Sequence, residues 1–278
     1  MSNRKALCVG INKFQNYPGS NLNGCVNDAN DMAAVLKQYL GFTDADITRK
    51  LDEQATKAAI MTELKAMIDG AKAGKYSYLV FSLSSHGTQI PDRNNDEPDH
   101  YDEAFCPTDL AASGGQWDPN HVITDDELHD LFLQLPPNVL LEVYLDTCHS
   151  GTGLKAADLM PDRRPRYIAP PSMAACDRVM TLPARGLRRR IETEVRATKS
   201  AILFAACRDN QTSADAYIGG SYHGAFTYYW VKEVRAAQNN ISRADLLKKI
   251  NADLKAGHYS QVAQLECDAT QRGLSVTR

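Results

Sequence analysis

The sequence predicts an α/β fold built on a mostly parallel central sheet with helices on both faces. Three observations predict it. Strand-like and helix-like stretches alternate over the first 150 residues. Two of the strand-like stretches, 76–83 and 139–145, are apolar almost throughout, the pattern of a strand buried on both faces. Both end abruptly in polar, reactive residues, Ser84-Ser85-His86-Gly87 and Asp146-Thr147-Cys148-His149-Ser150-Gly151. The carboxyl ends of buried strands are where open α/β sheets keep their chemistry.

In chain order, residues 6–11 read as a first buried strand, closed by the turn-forming Asn16-Tyr17-Pro18-Gly19-Ser20. From Asn27 the apolar residues take helical spacing, at Ala29, Met32, Ala33, Leu36 and Leu40, with Asn27 or Asp28 as candidate cap and Gly41 as stop. Residues 47–51 read as a short strand. Thr56 opens a second helix that carries Ile60, Leu64, Met67 and Ile68. An acidic, turn-forming stretch runs from Asp92 to Asp109, and Thr124 with Glu127 forms a capping box ahead of a helix over 128–135. After Gly151 the pattern dissolves for nearly fifty residues. It returns as a strand at 201–206 and helices at 225–234 and 243–254. The reading is one domain over 1–278: a large segment 1–150, a Pro/Arg-rich linker 151–199, and a small segment 200–278 that completes the same sheet.

Composition narrows the function classes. Hydrophobic residues make up 43% and charged residues 23% of the 278, as in ordinary globular proteins, and the net charge of -3 gives no reason to expect nucleic acid or a membrane as partner. The basic linker (Lys155, Arg163, Arg164, Arg166, Arg178, Arg185, Arg188, Arg189, Arg190, Arg196) has little aromatic interleaving, which argues against a nucleic-acid surface. The seven cysteines are scattered and include no C-x-x-C pair, against a disulfide framework or a zinc site. No signal peptide or membrane-length apolar run stands out, so the expectation is a cytoplasmic monomer with reduced thiols.

Cys148 is the candidate nucleophile. It needs a base, because a thiol near its unperturbed pKa of about 8.5 is only a few per cent thiolate at neutral pH. His149 is adjacent in sequence but would point to the other side of an extended chain. His86 occupies the same kind of position as Cys148, and if the two strands are neighbours their ends lie roughly 5 Å apart. The Gly87 amide, bare of a side chain, and the Cys148 amide together form a candidate oxyanion hole. Asp146 lies two residues before Cys148 and Ser84 two before His86, so each faces the same space as its partner. A carboxylate there requires a counter-charge such as a substrate arginine or lysine, unless it only ties down loop backbone.

LSSHGTQ, YDEAF, YLDTCHSG, AACRDNQTSADA and GAFTYYW together resemble the caspase-like cysteine peptidases, above all the metacaspase and bacterial metacaspase-like branch. The resemblance implies a caspase-like three-layer sandwich, a His86–Cys148 dyad and endopeptidase activity on peptide or protein substrates. It also implies cleavage after Arg or Lys, with Asp28 (in LNGCVND) and Asp146 binding the basic side chain. Many metacaspases use calcium held by acids near residues 92–103 and shortly after the nucleophile. The second set is missing here before Asp158, and Glu97 replaces the glycine an EF-hand loop needs at its sixth position. The expectation is therefore no resident cofactor, with calcium activation an open alternative. A flexible basic loop beside such a protease suggests self-cleavage in the linker. The rival reading is a catalytically silent or latent caspase-like interaction module; a third is acyl transfer on small molecules.

Overall fold

The computed structural model describes residues 3–91, 101–148, 162–171, 201–208 and 211–276. Its centre is a six-stranded sheet. The strands are β1 (Arg4–Gly10), β2 (Ile47–Leu51), β3 (Tyr78–Ser84), β9 (Leu140–Asp146), β11 (Ala201–Ala205) and β14 (Gln264–Glu266). Their order is β14-β11-β9-β3-β1-β2. All neighbours are parallel except β14, which runs antiparallel to β11 at the edge.

The period-two alternation of the strands sorts side chains into two cores. On one face, Leu7, Val9, Phe81, Val143 and Leu145 pack with Ile60, Leu64 and Met67 of α2 (Lys57–Lys72) and Leu128 of α3 (Asp125–Phe132). On the other, Ala6, Cys8, Val80, Tyr144 and Phe204 pack with Ala29, Met32 and Leu36 of α1 (Cys25–Tyr39). Trp230 of α4 (Ala225–Ala237) and Leu246 and Ile250 of α5 (Arg243–Ala256) complete that second core. Helix, sheet and helix form three layers. A short α6 (Ala269–Arg272) follows β14.

The helix starts follow local chemistry. Thr56 caps α2 by accepting from the Ala59 amide, and Thr124 and Glu127 form the expected capping box on α3. α1 starts at Cys25 with Gly24 as its cap, so Asn27 and Asp28 sit inside the first turn rather than capping it. Period-two patterning over four or five residues with mixed polarity gave no signal for the accessory hairpins. β4 (Gly87–Pro91), β5 (Tyr101–Phe105) and β8 (Ile123–Thr124) form one antiparallel sheet. β6 (Ala112–Ser113) pairs β7 (Gln116–Trp117). β10 (Arg163–Pro165), β12 (Ala214–Ile218) and β13 (Ser221–Gly224) form a third sheet, placing linker residues 162–171 in ordered structure. No helix of the described residues is long and apolar enough to cross a membrane.

Candidate active site

The parallel pairing of β3 with β9 sets the site. Ser84 is level with Asp146 at their carboxyl ends, so His86 and Cys148, each two residues further on, leave neighbouring strands at the same height. β1 borders β3 on its other side, with β2 beyond, so sheet growth reverses direction between β1 and β3, on the His86 side of the site. Open α/β sheets bind ligands at such a reversal.

His86 is buried, with its Nε2 2.7 Å from the Ser20 carbonyl oxygen. A carbonyl only accepts, so Nε2 carries the ring proton and Nδ1 keeps a lone pair, with no hydrogen-bond partner. Phe14 covers the ring at 5.0 Å between centroids. Burial lowers the imidazole pKa from 6.5 to about 4, so the ring is neutral at pH 7. The buried Cys148 thiol accepts from the Ser213 amide. A second thiol, Cys207, stands beside it; hydrogen bonding with Cys148 and burial push Cys207 well above the ordinary thiol range. Cys207 is held protonated.

The chain itself fills this site. β10 pairs antiparallel with β12, Arg163 opposite Ala216 and Pro165 opposite Ala214. The Arg166 amide donates to the Ser213 carbonyl at 3.0 Å. The Arg166 carbonyl oxygen accepts from the Gly87 amide at 2.9 Å and from the Cys148 amide at 3.3 Å. Beyond it, the Ile168 amide donates to the Gly87 carbonyl at 3.0 Å and the Thr88 hydroxyl donates to the Ile168 carbonyl at 2.7 Å. The Arg166–Tyr167 peptide bond is thus gripped on both sides.

The Arg166 side chain is fully buried among three carboxylates. Its Nη2 lies 2.7 Å from Asp28 Oδ2 and 3.0 Å from Asp215 Oδ1, and its Nη1 lies 3.3 Å from Asp146 Oδ1. Each acid is itself tied down. Asp146 accepts from the hydroxyls of Ser213 and Thr227 at 2.6 and 2.7 Å, and Asp215 from the amides of Asn23 and Gly24 at 2.9 Å each. Asp28 accepts from the Gly224 amide at 3.0 Å. Burial holds the Asp28 carboxyl above the usual carboxylate range, and the Arg166 charge offsets only part of that rise. Gly224 closes one wall; a Cβ there would collide with the Asp146 carboxylate and lie 2.5 Å from Arg166 Nη1.

Of the residues expected here, His86, Gly87, Cys148, Asp28 and Asp146 all converge around Arg166. Among the described residues no hydrogen bond or ion pair joins Ser84 to Arg166: Ser84 is buried at the end of β3, where its carbonyl accepts from the Ile11 amide at 3.0 Å. The guanidinium reaches away from β3 toward α1 and β12, so the third polar contact comes from Asp215. Sequence reasoning missed Asp215, although a lone acid between Ala214 and Ala216 signals a buried carboxylate that needs a partner. His149 and the residues just after it lie outside the described residues, as do residues 92–100 of the acidic stretch. That stretch ends in strand β5, not in the helix an EF-hand requires. Among the described residues no group of three or more His, Cys, Asp or Glu is placed to hold a metal ion, and no step is assigned to one.

Comparison with known proteins identifies the family and the fold. The caspase domain family matches residues 3–274. Metacaspase-1A of Aspergillus fumigatus is 32% identical over 295 residues, 95% of this chain and 68% of its own length. Metacaspase-1B of Neosartorya fischeri is 31% identical over 296 residues, 95% of this chain and 69% of its own. A crystal structure of a protein from Geobacter sulfurreducens superposes with TM-score 0.65 at 27% identity, covering 95% of this chain and 92% of that one. Caspase-1 from Spodoptera frugiperda superposes with TM-score 0.58 at 10% identity, covering 99% and 91%, a likeness of fold. This chain belongs to the caspase domain family, has the caspase-like α/β fold, and is a metacaspase-like cysteine-type endopeptidase.

Proposed function

We propose that this endopeptidase cleaves after arginine or lysine with Cys148 as nucleophile and His86 as base, and that its first substrate is its own Arg166–Tyr167 bond. One observation carries the reading. Arg166 has its carbonyl oxygen on two converging amides while its guanidinium lies among Asp28, Asp146 and Asp215.

The steps follow from the groups present. His86 Nδ1 takes the thiol proton, and Cys148 Sγ attacks the carbonyl carbon of the basic residue. The oxyanion that forms keeps the Gly87 and Cys148 amides as donors, already in place before charge develops. The imidazolium returns its proton to the departing amine, Tyr167 N in the self-reaction, as the C–N bond breaks and a thioester remains. Water, deprotonated by His86, then attacks the thioester and releases the carboxylate, and the thiol regains its proton. The buried acids select the substrate: an arginine satisfies three of them, whereas an aspartate in the same place would add a fourth negative charge. No step calls for a cofactor.

The test is intact-mass analysis during incubation, with and without calcium or a chelator. The expected products are fragments 1–166 and 167–278, formed at equal rates in all arms and absent from Cys148→Ala. A chain that hydrolyses arginine peptides while its 166–167 bond is never cut would refute the self-substrate. A cut blocked by the chelator would show an ion requirement.

A further inference from the structure

A second cation of the bound segment is also held. Arg163, three residues before Arg166, has only 11% of its side chain exposed. Its Nη1 donates to the His258 carbonyl at 2.9 Å and its Nη2 to the Gly257 carbonyl at 2.8 Å. Its guanidinium carbon lies 4.0 Å from the centre of the Tyr259 ring. Asp162, exposed beside it, adds a longer contact at 3.9 Å. Arg164, between these positions, is exposed, and its side chain donates to the Asn21 carbonyl at 3.0 Å.

These partners belong to the folded body. Gly257 and His258 end α5, the negative end of its dipole. The amides of Gly257, His258 and Tyr259 turn back onto the carbonyls of Asp253, Lys255 and Leu254, which leaves the Gly257 and His258 carbonyls facing Arg163. The turn needs His258 at φ 58°, and a Cβ on Gly257 would lie 2.7 Å from both Tyr229 Oη and the Tyr259 ring. Only glycine lets the ring close over the helix end. Two carbonyls and an aromatic face make a site for a planar cation.

We propose that Tyr259 with the Gly257 and His258 carbonyls is a second specificity subsite, which selects substrates carrying arginine at the fourth residue before the scissile bond. The inference rests on the reading that Arg166 occupies the cleavage position. The substrate class is then a peptide with two basic residues separated by two others, the outer on α5 and the inner among the acids.

The experiment compares kcat/KM of the full chain on fluorogenic tetrapeptides Arg-Ala-Pro-Arg, Ala-Ala-Pro-Arg and Arg-Ala-Pro-Asp. About a tenfold preference for Arg-Ala-Pro-Arg over Ala-Ala-Pro-Arg is expected, from one cation–π contact and two charge-assisted hydrogen bonds. Tyr259→Ala, which removes the ring but keeps the two carbonyls, should lower that ratio about threefold, and Tyr259→Phe, which keeps the ring, should preserve it. Equal turnover of the two arginine-ending peptides, with the Asp-ending one rejected, would overturn the outer subsite and leave the cleavage-site reading intact. Turnover that ignores the final residue would overturn both. Should Tyr259→Ala fail to fold, the wild-type ratio and Tyr259→Phe still decide.

Discussion

A buried neutral imidazole couples the folded state to pH, and at His86 the sign is fixed. Its pKa is about 4 in the folded chain against 6.5 when exposed. Between those values the unfolded chain binds the extra proton, so stability is full above pH 6.5 and falls as pH drops toward 4. From pH 7 to pH 5 the loss from this one group is about 2 kcal/mol. Urea unfolding of the uncut Cys148→Ala chain at the two pH values measures it. The control is the same chain with His86→Gln, which removes the titration while carboxylates such as Asp28 continue to titrate. Identical pH dependence in the two would mean that His86 is not held neutral by burial. The placement of His86 and Cys148 at neighbouring strand ends was legible in the sequence because each residue follows a run of apolar strand. Which ring nitrogen is free was not, since that depends on Ser20, a turn residue 66 positions away.

At the scale of elements, legibility followed the range of the interactions. α2 and α3 announce themselves through caps and a 3.6-residue period, and β3 and β9 through continuous apolar runs. β10 and β12 are short and mixed in polarity. They exist because they pair with each other across some fifty residues, and Arg163, Arg164 and Arg166 looked like any other basic residues of the linker. That pairing has a kinetic consequence. Removing one partner from a buried ion-pair cluster costs about 3–5 kcal/mol, enough to shift docking of the segment by at least two orders of magnitude. Arg166→Gln should therefore leave the 166–167 bond uncut yet hydrolyse an arginine peptide from the first seconds. The unaltered chain should show a lag that ends as its cut accumulates. Progress curves with the same lag in both proteins would show that the segment does not obstruct the site.

On the scale of the whole molecule, a cut at 166–167 severs the chain without severing the sheet. β11 and β14 lie after the cut, and β11 is paired with β9, which lies before it. Glu142 of β9 and Arg243 of α5, both fully buried, form an ion pair across the same divide, and the hydroxyls of Tyr78 and Tyr144 donate to Glu142 at 3.0 and 2.7 Å. Asp215, from beyond the cut, holds the amides of Asn23 and Gly24. The nicked protein should consequently keep one native mass, that of the 30.7 kDa chain plus one water, and stay active. The same measurement tests the proposed monomer. Arg243→Ala leaves the Glu142 charge buried with only hydroxyl partners, a loss of about 3–5 kcal/mol. In the uncut chain that loss lowers the unfolding midpoint. In the nicked chain, where no peptide bond holds the halves at high effective concentration, it should release fragments 1–166 and 167–278 in native mass spectra. A nicked wild type that falls apart, or a nicked Arg243→Ala that does not, would show that the interface is held by something other than this sheet pairing and its buried ion pair.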